Sequence, residues 1–295
     1  MSLADQIFVN NCHDILYHGA CTKDMPGVRP KWDNGESAYT YKTFGLCNRY
    51  DLRTEFPALT LRPTNLKKAM DEILWIYQKK SNNIKDLNSH IWDQWADDSG
   101  SIGKAYGYQV GVKSQYPEGE FDQMDRVLYD LKHNPGSRRI MTNLYTIGDL
   151  HEMNLYPCAY NVIYNVTPLS FSEKAENAES AEQKIKPTLN MMLIQRSNDF
   201  LVANNWNVCQ YAILLMMVAQ VNDMTPGVLT HVIGDAHIYN RHVPMVEGLI
   251  TREQFNAPTV TLNPEVKDFY SFTPDDLTVK DYNANPQIKN IPVAV

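Results

Sequence analysis

Tyr156-Pro157-Cys158-Ala159-Tyr160-Asn161-Val162-Ile163-Tyr164-Asn165-Val166 is the stretch on which the fold turns. From Tyr160 onward it alternates in the manner of a half-buried strand, and a second run of the same kind spans Leu189 to Gln195. Between them lies Ser172 to Lys186 (SEKAENAESAEQKIK), small, polar and charged, with no apolar stripe. The two runs are therefore expected to pair as antiparallel strands joined by a long solvent-exposed excursion over 172–186. That topology brings Cys158 and the following Gln195-Arg196-Ser197-Asn198-Asp199 to the same end of one strand pair.

The chemical consequence is specific. A cysteine attacks as its thiolate, and a free thiol with a pKa of about 8.5 is mostly protonated at neutral pH. A guanidinium beside it favours the thiolate and holds an anionic substrate by forked hydrogen bonds. Cys158 and Arg196 are thus a candidate nucleophile and its cation.

Composition bounds the rest. The chain has 295 residues, 43% hydrophobic and 21% charged, the values of a globular protein with an ample core. It carries no N-terminal signal pattern, and its longest apolar-rich stretch, Val208 to Val221, is broken by Gln210 and Gln220 and too short to span a bilayer. A cytoplasmic, membrane-free protein is expected. The five cysteines form no CxxC pair, which points to free thiols in a reducing compartment. The eight histidines are dispersed, with no metal-ligand spacing, so no metal is expected. A net charge of −7 disfavours nucleic acid, while a local arginine cluster would still bind an anion.

No linker or repeat divides the sequence, and residues 1–295 are read as a single catalytic domain. Helices are predicted at Leu3 to His18, Leu66 to Lys79, Asp122 to His133 and Val208 to Val221. The second follows a cap-like Pro63-Thr64-Asn65 and aligns Ala69, Ile73, Ile76 and Tyr77 on one face, with Glu72 off that stripe. Further strands are predicted at Tyr39 to Tyr50, Arg139 to Tyr145 and Val228 to Ile238. Strands and helices mixed without strict alternation favour an α+β layered domain.

Several short motifs, each weak alone, recur in one order: Ile91-Trp92-Asp93-Gln94-Trp95, Ala105-Tyr106-Gly107, Ser137-Arg138-Arg139, Pro157-Cys158, Gln195 to Asp199, Trp206-Asn207, Gly234-Asp235 with His237 and Tyr239, and the terminal Pro292-Val293-Ala294-Val295. In that order and spacing the chain resembles the folate-dependent thymidylate synthase family over nearly its whole length. The resemblance implies a three-layer α+β domain whose large mixed sheet packs against its twin in a homodimer with shared active sites. It also implies reductive methylation of dUMP to dTMP with 5,10-methylenetetrahydrofolate as co-substrate.

Residue by residue, it makes Cys158 the nucleophile that adds to pyrimidine C6, Glu72 the base that removes the C5 proton through water, and Tyr106 a helper in proton movement. The dUMP phosphate falls to Arg29, Arg196 and Ser197 of one subunit and to Arg138 and Arg139 of the other. Asn207 reads the uracil amide edge, His237 and Tyr239 the 3′-hydroxyl, and Ser197, Asn198 and Asp199 line the nucleotide. For the reduced folate, Asp199 matches the pterin partner and Trp92 the aromatic wall. Arg62 stands where a lysine facing the glutamate tail is usual, and Asn65 where a histidine is. Ala294 belongs to the closing tail, in which Val295 would supply a free carboxylate.

The chain also departs from that pattern. Ala159 follows the nucleophile where histidine is common, and Ala203-Asn204-Asn205-Trp206 replaces a glycine, apolar, proline, phenylalanine run. Two asparagines are thereby expected at the folate wall, where they would admit water and open a hydroxymethylase alternative; Trp92 argues for methylation. A catalytically silent nucleotide- or RNA-binding homologue is disfavoured by the presence of both Cys158 and Glu72 and by the net charge.

Overall fold

The computed structural model describes residues 1–174 and 185–294; the core of the polar excursion, 175–184, and Val295 with its expected carboxylate lie outside the described residues. The strand pair read from the sequence forms as expected. β6 (Ala159–Thr167) and β7 (Thr188–Asp199) are antiparallel, with Ala159 opposite Gln195 and Tyr164 opposite Met191. Around them a six-stranded mixed sheet is completed by β1 (Ala20–Cys21), β2 (Thr40–Asp51), β5 (Met141–Asn143) and β8 (Thr225–Tyr239), in the order β1-β2-β8-β7-β6-β5. Only the β7–β8 contact is parallel. Two small hairpins, β3 (Ser114–Tyr116) with β4 (Gly119–Phe121) and β9 (Thr259–Leu262) with β10 (Leu277–Lys280), lie outside it.

The helices are α1 (Leu3–His13), α2 (Leu66–Tyr77), α3 (Gly107–Gly111), α4 (Gln123–His133), α5 (Asn204–Val221) and α6 (Val243–Ile250). α5 packs on β7 and β8, and α2 packs on α5, so sheet, α5 and α2 form three successive layers. Sandwiched in this way, α5 has no solvent side and no amphipathic stripe: Cys209, Ile213, Leu214, Met217 and Val218 are all fully buried. The outer face of the sheet is uncovered in the single chain and carries exposed Phe44, Met141 and Met192.

Three details depart from the sequence reading. α5 starts at Asn204, before the predicted Val208, because its polar first turn faces inward rather than ending the apolar run. The strand predicted over 139–145 is confined to Met141–Asn143. α3, α6, β1 and both hairpins were not anticipated, being short elements whose apolar runs fall below a readable period.

The sheet changes face at its functional end. A regular strand buries every second residue, yet in β7 Gln195 and Asn198 are both buried, three apart, as are Ile233 and Ala236 in β8. Between these pairs the strands approach closely: a Cβ at Gly234 would lie 2.8 Å from the Arg196 carbonyl oxygen. Such irregularities re-aim side chains beside active sites, and here one turns Arg196 and Ser197 outward. Gly234→Ala is expected to cost about 1–3 kcal/mol, while Gly148→Ala, whose new methyl would meet nothing within 4 Å, stays within about 0.5 kcal/mol. Urea unfolding of the two variants makes the comparison.

Candidate active site

β6 and β7 deliver the nucleophile and its cation to one point. The Arg196 amide donates to the Cys158 carbonyl at 2.9 Å, extending the ladder one step past Ala159. Pro157, lacking an N–H, cannot continue it. The Arg196 guanidinium folds back on the same segment, donating from Nη2 to the Tyr156 carbonyl (2.8 Å) and from Nε to the Pro157 carbonyl (3.0 Å). Held by carbonyls rather than by a carboxylate, it keeps its charge available. The Cys158 Sγ lies 3.7 Å from both Arg196 Nη2 and Ser197 Oγ.

These groups open into a cavity of about 800 Å³, which Arg29, Glu72, Tyr106, Asn207, His237 and Tyr239 also line. Its apolar wall is built from Ile76, Ile91, Trp92, Trp95, Leu155 and Val202, and the tail residues Pro292, Val293 and Ala294 reach its edge.

Glu72 enters from α2, off the helix's expected stripe, because α2 is covered on nearly every side. Burial pushes its carboxyl up to about 7, even though the Gln210, Trp206 and Trp92 side chains act to lower it. The Trp206 indole N–H donates to Glu72 Oε2 at 2.9 Å. Trp92 Nε1 and Gln210 Nε2 approach the same carboxylate without reaching hydrogen-bond geometry.

Tyr106 donates no strand or helix regularity to the site; it sits in a strained backbone conformation, φ 47° and ψ −105°. The next residue must be glycine, since a Cβ at Gly107 would lie 2.1 Å from the Ser81 carbonyl oxygen. This explains the Ala105-Tyr106-Gly107 motif: the strain carries the Tyr106 hydroxyl to the Cys158 amide, from which it accepts at 3.2 Å. Burial, then the nearby Cys158, pushes the phenol far above its ordinary pKa and keeps it protonated.

On β8, His237 Nδ1 is engaged by Asp235 Oδ1 (2.9 Å), whose other oxygen accepts from Lys42 Nζ (2.6 Å). Burial acts to raise Asp235 but is outweighed by His237 and Lys42, which leave its carboxyl below the usual range. Tyr239 is pushed up to about 12, by burial first and then by the Asp199 charge, so its hydroxyl is a donor. Asp199 accepts from the amides of Leu201 and Val202, both at 3.0 Å, and also lines the cavity.

Not every expected residue converges here. Arg138 and Arg139 are exposed on the turn after α4, outside this cavity. Arg62 donates to the Leu201 carbonyl, and Asn65 caps α2 by accepting from the Lys68 amide (3.1 Å); neither lines the cavity. Asn198 is almost fully buried and its Nδ2 donates to Gln195 Oε1 at 2.8 Å, yet the residue still lines the cavity beside Ser197 and Asp199. Asn204 and Asn205 do not stand on the wall as expected. Both are buried: Asn205 is bonded to the backbone of Leu59 and Pro57, and Asn204 to Asn198. Only Ala203 and Trp206 of that run face the cavity. The sequence reading missed Trp206 and Gln210 as partners of Glu72; their position just before and one turn after Asn207 at the start of a helix was the available signal.

Fold and cavity define the class: an α+β protein with a cysteine between a guanidinium and a hydroxyl, facing a buried carboxyl across a largely apolar cavity. This is equipment for covalent catalysis on an anionic substrate carrying a ring. The family described as Thymidylate synthase matches residues 6–295. A thymidylate synthase of Bacillus subtilis subsp. natto is 39% identical over 287 residues, 96% of each chain, and one of Clostridium beijerinckii is 36% identical over 294 residues, 98% of each. The solved structure of thermostable thymidylate synthase A from Bacillus subtilis superposes with a TM-score of 0.87 at 37% identity, covering 99% of both chains. The chain belongs to the thymidylate synthase family. It is a methyltransferase that makes dTMP from dUMP, with 5,10-methylenetetrahydrofolate as co-substrate.

The buried carboxyl gives a stability test. Glu72 has a native pKa of about 7 against an ordinary value of 4.5, so between these values the unfolded state releases its proton first and binds fewer protons. Stability then falls as pH rises through that window, by on the order of 3 kcal/mol once both states are ionised. Glu72→Gln is expected to gain on the parent by that amount between pH 4.5 and pH 8. Parallel urea titrations at the two values measure it, and a constant difference would contradict the assignment.

Proposed function

We propose that Cys158, Glu72 and Tyr106 carry out the chemistry of dTMP synthesis within a single catalytic domain spanning 1–295. The observation that carries this reading is the 3.7 Å approach of Cys158 Sγ to Arg196 and Ser197, in the cavity that Glu72 also lines. The thiolate adds to uracil C6, and the C5=C6 electron pair moves toward C5 and O4 as an enolate. Asn207 faces the base edge, its Nδ2–H donating to O4 and its Oδ1 accepting from N3–H. Glu72, with a pKa of about 7, is matched to removing the C5 proton through a water once C5 has taken up the one-carbon unit. Cys158 stays bonded to C6 until hydride has reached that unit, and re-forming C5=C6 then expels its thiolate. Bound 5,10-methylenetetrahydrofolate supplies the one-carbon unit and a hydride, and leaves as dihydrofolate. The Tyr106 hydroxyl, next to the nucleophile's amide, assists proton movement.

The phosphate is held by Arg29, Arg196 and Ser197, and the sugar by His237 and Tyr239. The apolar wall with Trp92 fits a flat heteroaromatic ring, and Asp199 at its edge bonds the pterin. Arg62 and Asn65, on the approach to α2, take the outer folate contacts, and the tail with Ala294 closes over the site and excludes water. The uncovered sheet face with Phe44, Met141 and Met192 supports a homodimer in which the partner subunit supplies Arg138 and Arg139 to the phosphate. A cytoplasmic setting accords with free cysteines and with the absence, among the described residues, of any helix long and apolar enough to cross a membrane.

Cys158→Ala is expected to lose essentially all turnover while still binding dUMP; parent-like turnover would remove Cys158 from the mechanism. Product mass after incubation with dUMP and the reduced folate should show dTMP, with no hydroxymethyl product. Mixing Cys158→Ala subunits with Arg138→Ala/Arg139→Ala subunits should restore part of the activity once subunit exchange is demonstrated. No recovery would count against shared sites.

A further inference from the structure

Behind Asn207 lies a buried row of polar side chains whose hydrogen bonds run in one direction. His231 Nε2 meets Gln195 Oε1 at 2.5 Å, Gln195 Nε2 donates to Asn207 Oδ1 at 3.1 Å, and Asn207 Nδ2 donates to Gln210 Oε1 at 3.0 Å. Gln210 Nε2 then points toward the Glu72 carboxyl without reaching hydrogen-bond geometry. Asn198 braces the row from the side, donating from Nδ2 to Gln195 Oε1 (2.8 Å) and to Asn207 Oδ1 (3.3 Å), while its own Oδ1 accepts from Asn204 Nδ2 (3.1 Å).

The direction matters because an amide flip is the one rearrangement that would change the base read. Uracil offers O4 as an acceptor and N3–H as a donor; cytosine offers a 4-amino donor and N3 as an acceptor. Asn207 complements the first in the orientation found and the second if its amide turns over. Turning it over would set its NH2 against the donors of Gln195 and Asn198, unless Gln195 turned over as well. That second flip is opposed at Gln195 Oε1, where Asn198 Nδ2 and the His231 Nε2–H both donate.

His231 lies in β8 between Leu229 and Ile233, all three fully buried. Burial pushes its pKa down to about 3, so the ring is neutral and carries a single N–H. Its Nδ1 has no partner among the described residues. The hydrogen bond to Gln195 therefore selects the tautomer, and the Nε2–H form is the one consistent with every other bond in the row.

We propose that His231, with Asn198, is a positioning residue that fixes the Gln195 amide and through it the Asn207 amide, and so sets the preference for a uracil over a cytosine nucleotide. It rests on the reading that Asn207 faces the base edge. His231 acts through Gln195, and Asn198 acts both through Gln195 and directly on Asn207 Oδ1.

The test is the ratio of dUMP to dCMP affinity, measured by calorimetry on the intact protein, alongside KM and kcat for dUMP. His231→Leu, shown by thermal unfolding to be folded, should narrow the ratio about tenfold or more and raise KM for dUMP more than it lowers kcat. His231→Gln, which restores an N–H donor, should recover most of the ratio, and Asn198→Ala should narrow it in the same sense. A purely structural role would lower the unfolding temperature and leave the ratio unchanged, and that result in both folded variants overturns the proposal. Should His231→Leu not fold, Asn198→Ala and the imidazole 15N shifts of the parent decide. An Nε2–H signal supports the assignment, and an Nδ1–H signal sinks it. Asn207→Asp separates the two layers: if its ratio also stays unchanged, the reading of Asn207 itself fails; if it changes while the other variants do not, only the role of His231 and Asn198 fails.

Discussion

One backbone hydrogen bond, from the Arg196 amide to the Cys158 carbonyl at 2.9 Å, ties together almost everything the site needs. It fixes the register at the end of β6 and β7, so a nucleophile and a guanidinium separated by the whole excursion meet within 3.7 Å. Side chains alternate with period two, and a slip by one residue would send Arg196 into the core and bring Gln195 or Ser197, neither of them charged, to its place beside the nucleophile. The Arg196 side chain adds a second tie through the carbonyls of Tyr156 and Pro157. A long arginine loses rotamer freedom when ordered; two hydrogen bonds from a charged donor offset that loss and leave the remaining guanidinium edge for an anion. The close approach of Gly234 to the Arg196 carbonyl carries the constraint one strand further, so the cation's position is set from both sides of β7.

Across the cavity the opposite condition holds. Where Cys158 is half-exposed, Glu72 is buried and its ionisation is opposed by burial and helped by three donor side chains. The balance leaves its pKa at about 7, near the pH at which a carboxyl serves equally well as acid and base. The two halves of the site thus differ in environment: an open, cationic end at Cys158 and Arg196 and a dry end at Glu72. The layering produces this contrast, since α2 and α5 shield Glu72 while the sheet end stays open.

The part of this architecture legible in the sequence was the part encoded by periodicity or by strong local chemistry. β6 and β7 alternate clearly, a polar excursion separates them, and the adjacency of Cys158 and Arg196 follows from pairing alone. α2 with its Asn65 cap and α4 were legible for the same reason; Asp122, read as the first residue of α4, is instead its cap and accepts from the Asp125 amide. What escaped depended on which way a side chain turns. Asn204 and Asn205 look like wall residues in a string, yet a helix that starts at Asn204 points both into protein, where amides and carbonyls satisfy them. Trp206, on the same turn, reaches Glu72 instead. The strain at Tyr106 is equally silent in the sequence, betrayed only by the glycine that follows it.

α5 explains why those orientations are so consequential. A helix with no solvent side must place every polar residue against a partner, because a buried amide left unpaired costs about 1–3 kcal/mol. The polar residues of α5's first turns, Asn204, Asn205, Asn207 and Gln210, are therefore not free to reorient one at a time. Each amide has a donor end and an acceptor end, so once the sense of the row is fixed at its His231 and Asn198 end, the sense of Gln195 and Asn207 follows. Polar burial usually weakens a core, and here it converts the position of a single base into the orientation of an amide two residues removed from it. The same burial that raises the Glu72 pKa thus gives the polar row behind Asn207 its direction, so the Asn207 amide orientation and the Glu72 environment both follow from how this helix is packed.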